Sequence, residues 1–253
     1  MSVRAVLVVL LFPMLAFAGS IENTQHLELS IKDIQSMYIT CGPGSLDVFG
    51  VEGADRIKVA ATVRVSGITQ NMLQDFLDKH VALSLLKRRS RAVLQSGFIH
   101  AHLMKAQAKI DLTVMVPKSL GVKIDDGSGS IFVTDLEKSL EIIDDSGSIE
   151  IRKVTGSVSI SDGSGTIELT DIINNLEVKD GSGPIHIERV RGNVRVTDGS
   201  GSITIKDIDG NLTITDGSGS IEINDVTRNV FIKEAGSGIL DIEGVKGKVI
   251  TRE

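Results

Sequence analysis

Asp126, Asp144, Asp162, Asp180, Asp198 and Asp216 stand eighteen residues apart, and each opens a tetrapeptide Asp-(Gly/Asp)-Ser-Gly. Regular carboxylates beside glycines suggest three chemistries. The first is calcium binding, because eighteen is twice nine and calcium-binding nonapeptide solenoids carry Gly, Gly and Asp in their turns. Those turns place the Asp two residues after the second glycine. Here that place holds Ile203 or Ile221, and the Asp precedes the glycines. Stacked carboxylates would repel by about 1 kcal/mol per neighbour in a water-like dielectric, so such a column could at most gather loose cations. The pattern reads as solvated turn residues, with a calcium-dependent solenoid as an alternative.

The second chemistry is phosphate binding by glycine loops, which needs a helix N-terminus behind the loop. A strand pattern follows instead. The third is glycan cleavage, for which β-helix lyases and hydrolases set Asp, Lys or Arg on one sheet face beneath long loops. The copies here have nearly constant length, and exposed charges such as Lys206, Asp207 and Glu222 change type from copy to copy. A glycan-acting enzyme remains the alternative function, with its site in the irregular region 67–121.

Three other groups invite a reading. His100 and His102 have the spacing of a metal-ligand pair on a strand, but no third ligand can be assigned from His26 or His80. They are the weak metal candidates in a chain otherwise expected to hold no metal. The run Lys87, Arg88, Arg89 and Arg91 could contact an anionic envelope surface or glycan. It lacks the interleaved aromatics of a single-stranded nucleic-acid site. Cys41 has no Ser-His-Asp or Cys-His partners in reach of sequence argument. No catalytic residue, cofactor-binding residue or cofactor is assigned, and the chain is read as not an enzyme.

The elements that carry these residues repeat. The Ser-Gly glycine recurs at Gly129, Gly147, Gly165, Gly183, Gly201 and Gly219, with a seventh copy ending one residue late at Gly238 and Glu234 standing in for the Asp. Between the corners lie five apolar slots, for example Ile203, Ile205, Ile208, Leu212 and Ile214, with steps of two, three, four and two. Steps of two are strands with alternate side chains inward, and the longer steps are corners. One copy cannot bury its own apolar face, whereas stacked copies can. The chain is therefore all-β: a flattened parallel β-solenoid, read as right-handed from the usual sense of strand crossovers, with a short N-terminal helix. Asp-Gly-Ser-Gly is a bend in this reading, with Gly supplying positive φ and Asp and Ser capping turn amides. Ser139, Ser157, Asn175, Asn193, Asn211 and Asn229 mark the opposite corner, where stacked Asn can form amide ladders.

Three segments follow. Residues 1–18 read as a secretory signal peptide, with Arg4, an apolar run and Ala16-Phe17-Ala18 before Gly19. Residues 19–121 are irregular. Leu46, Val48, Val51, Ile57 and Val59 imitate one repeat, Thr69–His80 reads as a helix with Met72, Leu73, Phe76 and Leu77 on one stripe, and Leu112, Val114 and Val116 alternate. The stretch from Ser96 to Gln107 reads as a loop. Residues 122–253 are the regular seven-repeat solenoid, its more polar last turn reading as a cap. That part carries 14 Lys and Arg against 24 Asp and Glu, which argues against a nucleic-acid partner. No later segment is long and apolar enough to cross a bilayer. With one cysteine, no intramolecular disulfide can form.

The passage "IDLTVMVPKSLGVKIDDGSGSIFVTDLEKSLEIIDDSGSIEI", Ile110 to Ile151, resembles a bacterial family labelled "putative adhesin", whose members are β-solenoid domains. The resemblance lies in a hydrophobic strand, a Val-Pro step and reiterated coils, all structural motifs. It implies a noncatalytic exported module, periplasmic or at the cell surface. Expected partners are an envelope polymer, glycan or protein, with the oligomeric state open.

Overall fold

The computed structural model describes residues 6–8, 20–99 and 107–252. Its regular half is built as the spacing predicts. Eight strands form one side of the rungs: β9 (Gly121–Asp126), β11 (Leu140–Asp144), β13 (Val158–Asp162), β15 (Leu176–Asp180), β17 (Val194–Asp198), β19 (Leu212–Asp216), β21 (Val230–Ala235) and β23 (Val249–Thr251). The intervening strands form the other: β10 (Gly129–Leu136), β12 (Gly147–Val154), β14 (Ile167–Ile173), β16 (Ile185–Arg191), β18 (Ile203–Asp209), β20 (Ile221–Val226) and β22 (Leu240–Glu243). Each strand pairs in parallel with its counterpart one rung away, in register by eighteen residues up to β21 and by nineteen in the last rung. Equal slots therefore meet equal slots, and the aliphatic positions form continuous buried columns such as Ile149, Ile167, Ile185 and Ile203. Each such side chain contributes about 2 kcal/mol by leaving water.

The step of three has a local cause. Asp135, Lys153, Asp171, Arg189, Asp207 and Asp225 all adopt left-handed backbone, with φ between 53° and 63°. One such residue in an extended chain resets the alternation, so that Val154 points inward three residues after Ile151. The rung thus bends at a third place, giving it a short third side.

The N-terminal part joins this stack by threading. Strand β3 (Ser36–Cys41) pairs in parallel with β9, and β4 (Leu46–Val51) with β10, so these two form a complete rung. Leu46 and Val48 occupy the expected slots opposite Ile131 and Val133. Ile57 and Val59 do not belong to that rung, contrary to the sequence reading. They lie on β5 (Arg56–Ser66), which turns back antiparallel, and the true counterparts of Val122 and Ile124 are Met37 and Ile39. Alternation alone cannot distinguish a strand that continues the coil from one that reverses. A further rung, β7 (Arg91–Phe98) and β8 (Gln107–Pro117), packs outside β3 and β4. The β3–β4 rung is therefore held between segments that come later in the chain.

The outer end is closed by antiparallel strands. On one sheet the order is β2 (Ser20–Ser30), β5, β8; on the other, β6 (Val81–Arg88) pairs with β7. Strand β1 (Val6–Val8), inside the expected signal peptide, pairs with β2. A 3-10 turn, Gln70–Met72, leads into α1 (Leu73–His80), which crosses from β5 to β6 at this end. Leu73, Phe76 and Leu77 are buried in the core, whereas Met72, placed on the same stripe by the sequence, is 52% exposed. The 3-10 turn shifts the helix start past Met72 and rotates it out. Thr69 does not cap the helix through its side chain; its hydroxyl goes to the Asn71 side chain instead. At the other end the last turn, expected as a polar cap, is the outermost rung and exposes Lys246, Lys248, Thr251 and Arg252. Ile239, Val249 and Ile250 are exposed, and no element among the described residues covers the last rung.

Candidate functional site

Three axial features arise because the rungs stack in register. The first is the Asp-Gly-Ser-Gly corner. Its second glycine has φ from 131° to 154° in the six regular copies, and a Cβ there would strike the carbonyl oxygen of the glycine one rung before. The corner therefore needs glycine for conformation and for close stacking. The Asx-turn expectation is also met: Asp162, Asp180, Asp198 and Asp216 each accept, through Oδ1, the N–H of the serine two residues on, at 3.3, 3.2, 3.2 and 3.1 Å.

The six aspartates are not solvated, which corrects the sequence reading. They are only 1–7% exposed. In Val158-Ser159-Ile160-Ser161-Asp162 the Asp continues the inward alternation, so its side chain enters the core beside the turn. Burial raises every one of these carboxyls above the ordinary range, Asp144 to about 7 and Asp180 to about 6. In the seventh copy a register shift puts Ala235 opposite Asp216, and Glu234 faces outward. Cys41 occupies the same position one rung before Asp126, and burial with the neighbouring carboxylates pushes its thiol up. It is a partly buried thiol packed against the core. Among the described residues no group of three or more His, Cys, Asp or Glu is arranged to hold a metal ion.

The second feature is the asparagine ladder, as the spacing predicts. Asn193, Asn211 and Asn229 each donate Nδ2 to the Oδ1 of the Asn one rung before, at 3.3, 3.0 and 3.4 Å. The same oxygens also accept the next backbone N–H, at 3.0 to 3.3 Å. Asn211→Ala leaves the Asn229 N–H and amide without this acceptor. It is expected to cost about 1–2 kcal/mol, read as a lower urea midpoint at unchanged slope.

The third feature, which sequence reasoning missed, is a groove of about 670 Å³ along the short third side, lined by residues from Lys118 to Lys246. Its floor is the buried column Leu136, Val190, Ile208 and Val226. One wall is the left-handed column, in which Lys153, Asp171, Arg189 and Asp207 alternate in charge. Arg189 Nε donates to Asp171 Oδ1 at 2.7 Å and holds that carboxyl below its usual range. Ile173, 46% exposed, and Arg191 form part of the opposite wall. The step of three was the available signal, since it demands a bend and a bend makes a concave side. A second groove, of about 910 Å³, follows the Asn ladder, between Glu177, Arg195 and Phe231 among others.

The remaining sequence candidates are scattered. Lys87, Arg88 and Arg91 lie at the β6–β7 hairpin and Arg89 in its turn with φ 57°. Lys87 is engaged internally, donating to the Lys32 carbonyl at 2.6 Å, while Arg88, Arg89 and Arg91 are exposed. His100 and His102 lie outside the described residues. The Ile99 N–H donates to the His80 carbonyl at 2.7 Å, so His80 lies beside the start of their segment. In region 67–121 the carboxylate of Asp111 is tied to Arg64, Lys109 and the Ser45 N–H, a structural cluster. Outside these sites, Phe49 and Phe132 meet at 5.8 Å on an outer sheet face, with Arg152 over the Phe132 ring at 5.9 Å.

No family model matches the chain, and no curated protein does. Solved structures similar to it include a putative adhesin from Bacteroides fragilis, 12% identical, covering 93% of this chain and 98% of its own, with a TM-score of 0.49. A putative lipid binding protein from Parabacteroides distasonis is 15% identical, covers 90% and 94%, and has a TM-score of 0.48. A putative cell adhesion protein from Clostridium sporogenes is 10% identical, covers 90% and 99%, and has a TM-score of 0.41. Two of the three carry the adhesion label implied by the Ile110–Ile151 resemblance; the solenoid assignment rests on the strand register described above.

Proposed function

We propose that this chain is a noncatalytic binding or structural module, exported to the bacterial envelope, whose third-side groove receives an extended polymer. The observation that carries the reading is the continuity of that groove across successive rungs, with an apolar floor repeating every eighteen residues between polar walls whose charge changes from rung to rung. Rungs recur at about 4.8 Å, so an extended glycan or peptide lying along the axis meets the same aliphatic floor at every rung, flanked by charges of both signs. Weak contacts then combine into useful avidity. Lys87, Arg88, Arg89 and Arg91 are a second, salt-sensitive contact for an anionic surface.

The test is retention of the secreted chain on isolated envelope fractions and on a glycan array. The triple variant Lys153→Gln, Arg189→Gln, Arg191→Gln is expected to weaken retention about tenfold or more. Alanine at Lys87, Arg88, Arg89 and Arg91 should mainly reduce its salt dependence. Unchanged retention in both variants would dismiss these surfaces. Sequencing the exported protein should find Gly19 at its N-terminus; recovery only in the cytoplasm would end the export reading.

A further inference from the structure

The aspartate column poses a problem that the bend does not solve. Each of the six carboxyls spends Oδ1 on its own turn or has no partner there: Asp126 accepts from the Gly127 N–H at 2.9 Å, and the last four from serine N–H groups. The Oδ2 atoms of Asp126, Asp144, Asp162, Asp180, Asp198 and Asp216 are all buried without a hydrogen-bond partner, as is Oδ1 of Asp144. A buried acceptor without a donor is costly, and an ionised one more so. Strand pairing sets Asp126 beside Asp144, then Asp162, Asp180, Asp198 and Asp216, each residue directly opposite the next.

We propose that this column is a proton-charged ladder, in which roughly one proton for every two carboxyls is shared along the stack as O–H···O⁻ bonds between neighbouring rungs, so that the solenoid tightens as the surroundings become mildly acidic. A carboxylic acid donating to a carboxylate forms a short, charge-assisted bond, and one such proton serves two otherwise orphaned oxygens. Full ionisation would instead leave like charges facing each other at strand spacing.

The surroundings offer the column no cationic partner. The turn N–H groups and, at Asp126, the Cys41 thiol lower these carboxyls but do not offset burial; the other groups that act on the column are the carboxyls themselves and Asp125, whose own Oδ2 accepts from the Tyr38 hydroxyl at 2.8 Å. No Lys, Arg or His contributes to the shift of any member. The most strongly raised groups alternate. Burial and then Asp126 and Asp162 lift Asp144 to about 7; burial and then Asp162 and Asp198 lift Asp180 to about 6. A folded-state value above the unfolded one means that the folded chain binds protons more tightly. The resulting stability is fully present below the ordinary Asp range of about 4 and is lost as pH rises through about 6 to 7. That is opposite in sign to the acid sensitivity of salt-bridged carboxylates. Proton uptake by the column does not depend on what the groove binds.

The experiment is chemical unfolding of the full chain from about pH 8 to about pH 5, with carbon-detected carboxyl titration of the folded state. The unfolding equilibrium constant is expected to fall about tenfold or more over that range, and Asp144 and Asp180 should titrate well above the usual carboxylates. Asp144→Asn with Asp180→Asn replaces shared protons by permanent N–H donors, so it should stabilise the chain at the upper pH and flatten the profile. Ordinary carboxyl titration, or stability that falls on acidification, would overturn the proposal; the wild-type measurements decide this even if the double variant does not fold. Calcium restoring the acid-state stability at the upper pH would make the column a cation site and overturn it as well.

Discussion

Gly165→Ala is expected to lower stability by about 3–5 kcal/mol, enough to leave much of the chain unfolded if its total stability is ordinary. Two costs coincide at this position. The backbone φ is 143°, where an L side chain is strained, and the new Cβ falls on the carbonyl oxygen of Gly147 in the rung before. That oxygen belongs to a stacked corner and cannot withdraw without opening the ladder on both sides. Gly127→Ala is the control within the same motif. Gly127 is not at positive φ, and a Cβ built there meets nothing within 4 Å, so the cost should stay below about 0.5 kcal/mol. Guanidinium unfolding of the two variants makes the comparison. Equal midpoints would mean that the rungs do not stack as closely as described.

Ile205→Ala is the second large effect, at about 3–4 kcal/mol. Ile205 is 0% exposed and lies between Ile187 and Ile223 in a continuous column. Removing its side chain leaves a cavity bounded by rungs on both sides, each pinned by its own strand pairs, so collapse into the space is restricted. Ile242→Ala, in the same slot of the terminal rung, should cost about 1 kcal/mol or less, because Ile242 is only partly buried and pairs on one side. A linear stack predicts this dependence on position. Similar losses at the two positions, measured by denaturant midpoint, would indicate an additional element covering the last rung.

The asparagine ladder was legible from spacing because like residues eighteen apart must meet once the strands are in register. The aspartate column was legible in part. Its turn-capping oxygen followed from Asp before Gly-Ser-Gly, but its inward direction was overlooked, although the step of two from Ile160 to Asp162 carries that information. Binary pattern reading assigns Asp to the surface by type, whereas the pleat assigns it by phase. The groove was missed for a different reason. Left-handed backbone leaves only a partial signature in residue type: Asp at four of the six positions favours that region, but Lys153 and Arg189 are not usual occupants. Packing of the short third side imposes it.

The sequence by itself determined the rung: its length, its two corners, its aliphatic columns and the glycine required at the tight bend. Those features are local, or repeat so regularly that parallel stacking is the one arrangement that buries every slot. Only the tertiary structure decided how the N-terminal segments enter the stack, with β3 and β4 held between later strands and β5 reversed. Strand alternation carries no record of direction or neighbour. Only the tertiary structure, too, gathered the aspartates into a dry column and the bends into a groove, because both exist between rungs rather than within any one of them.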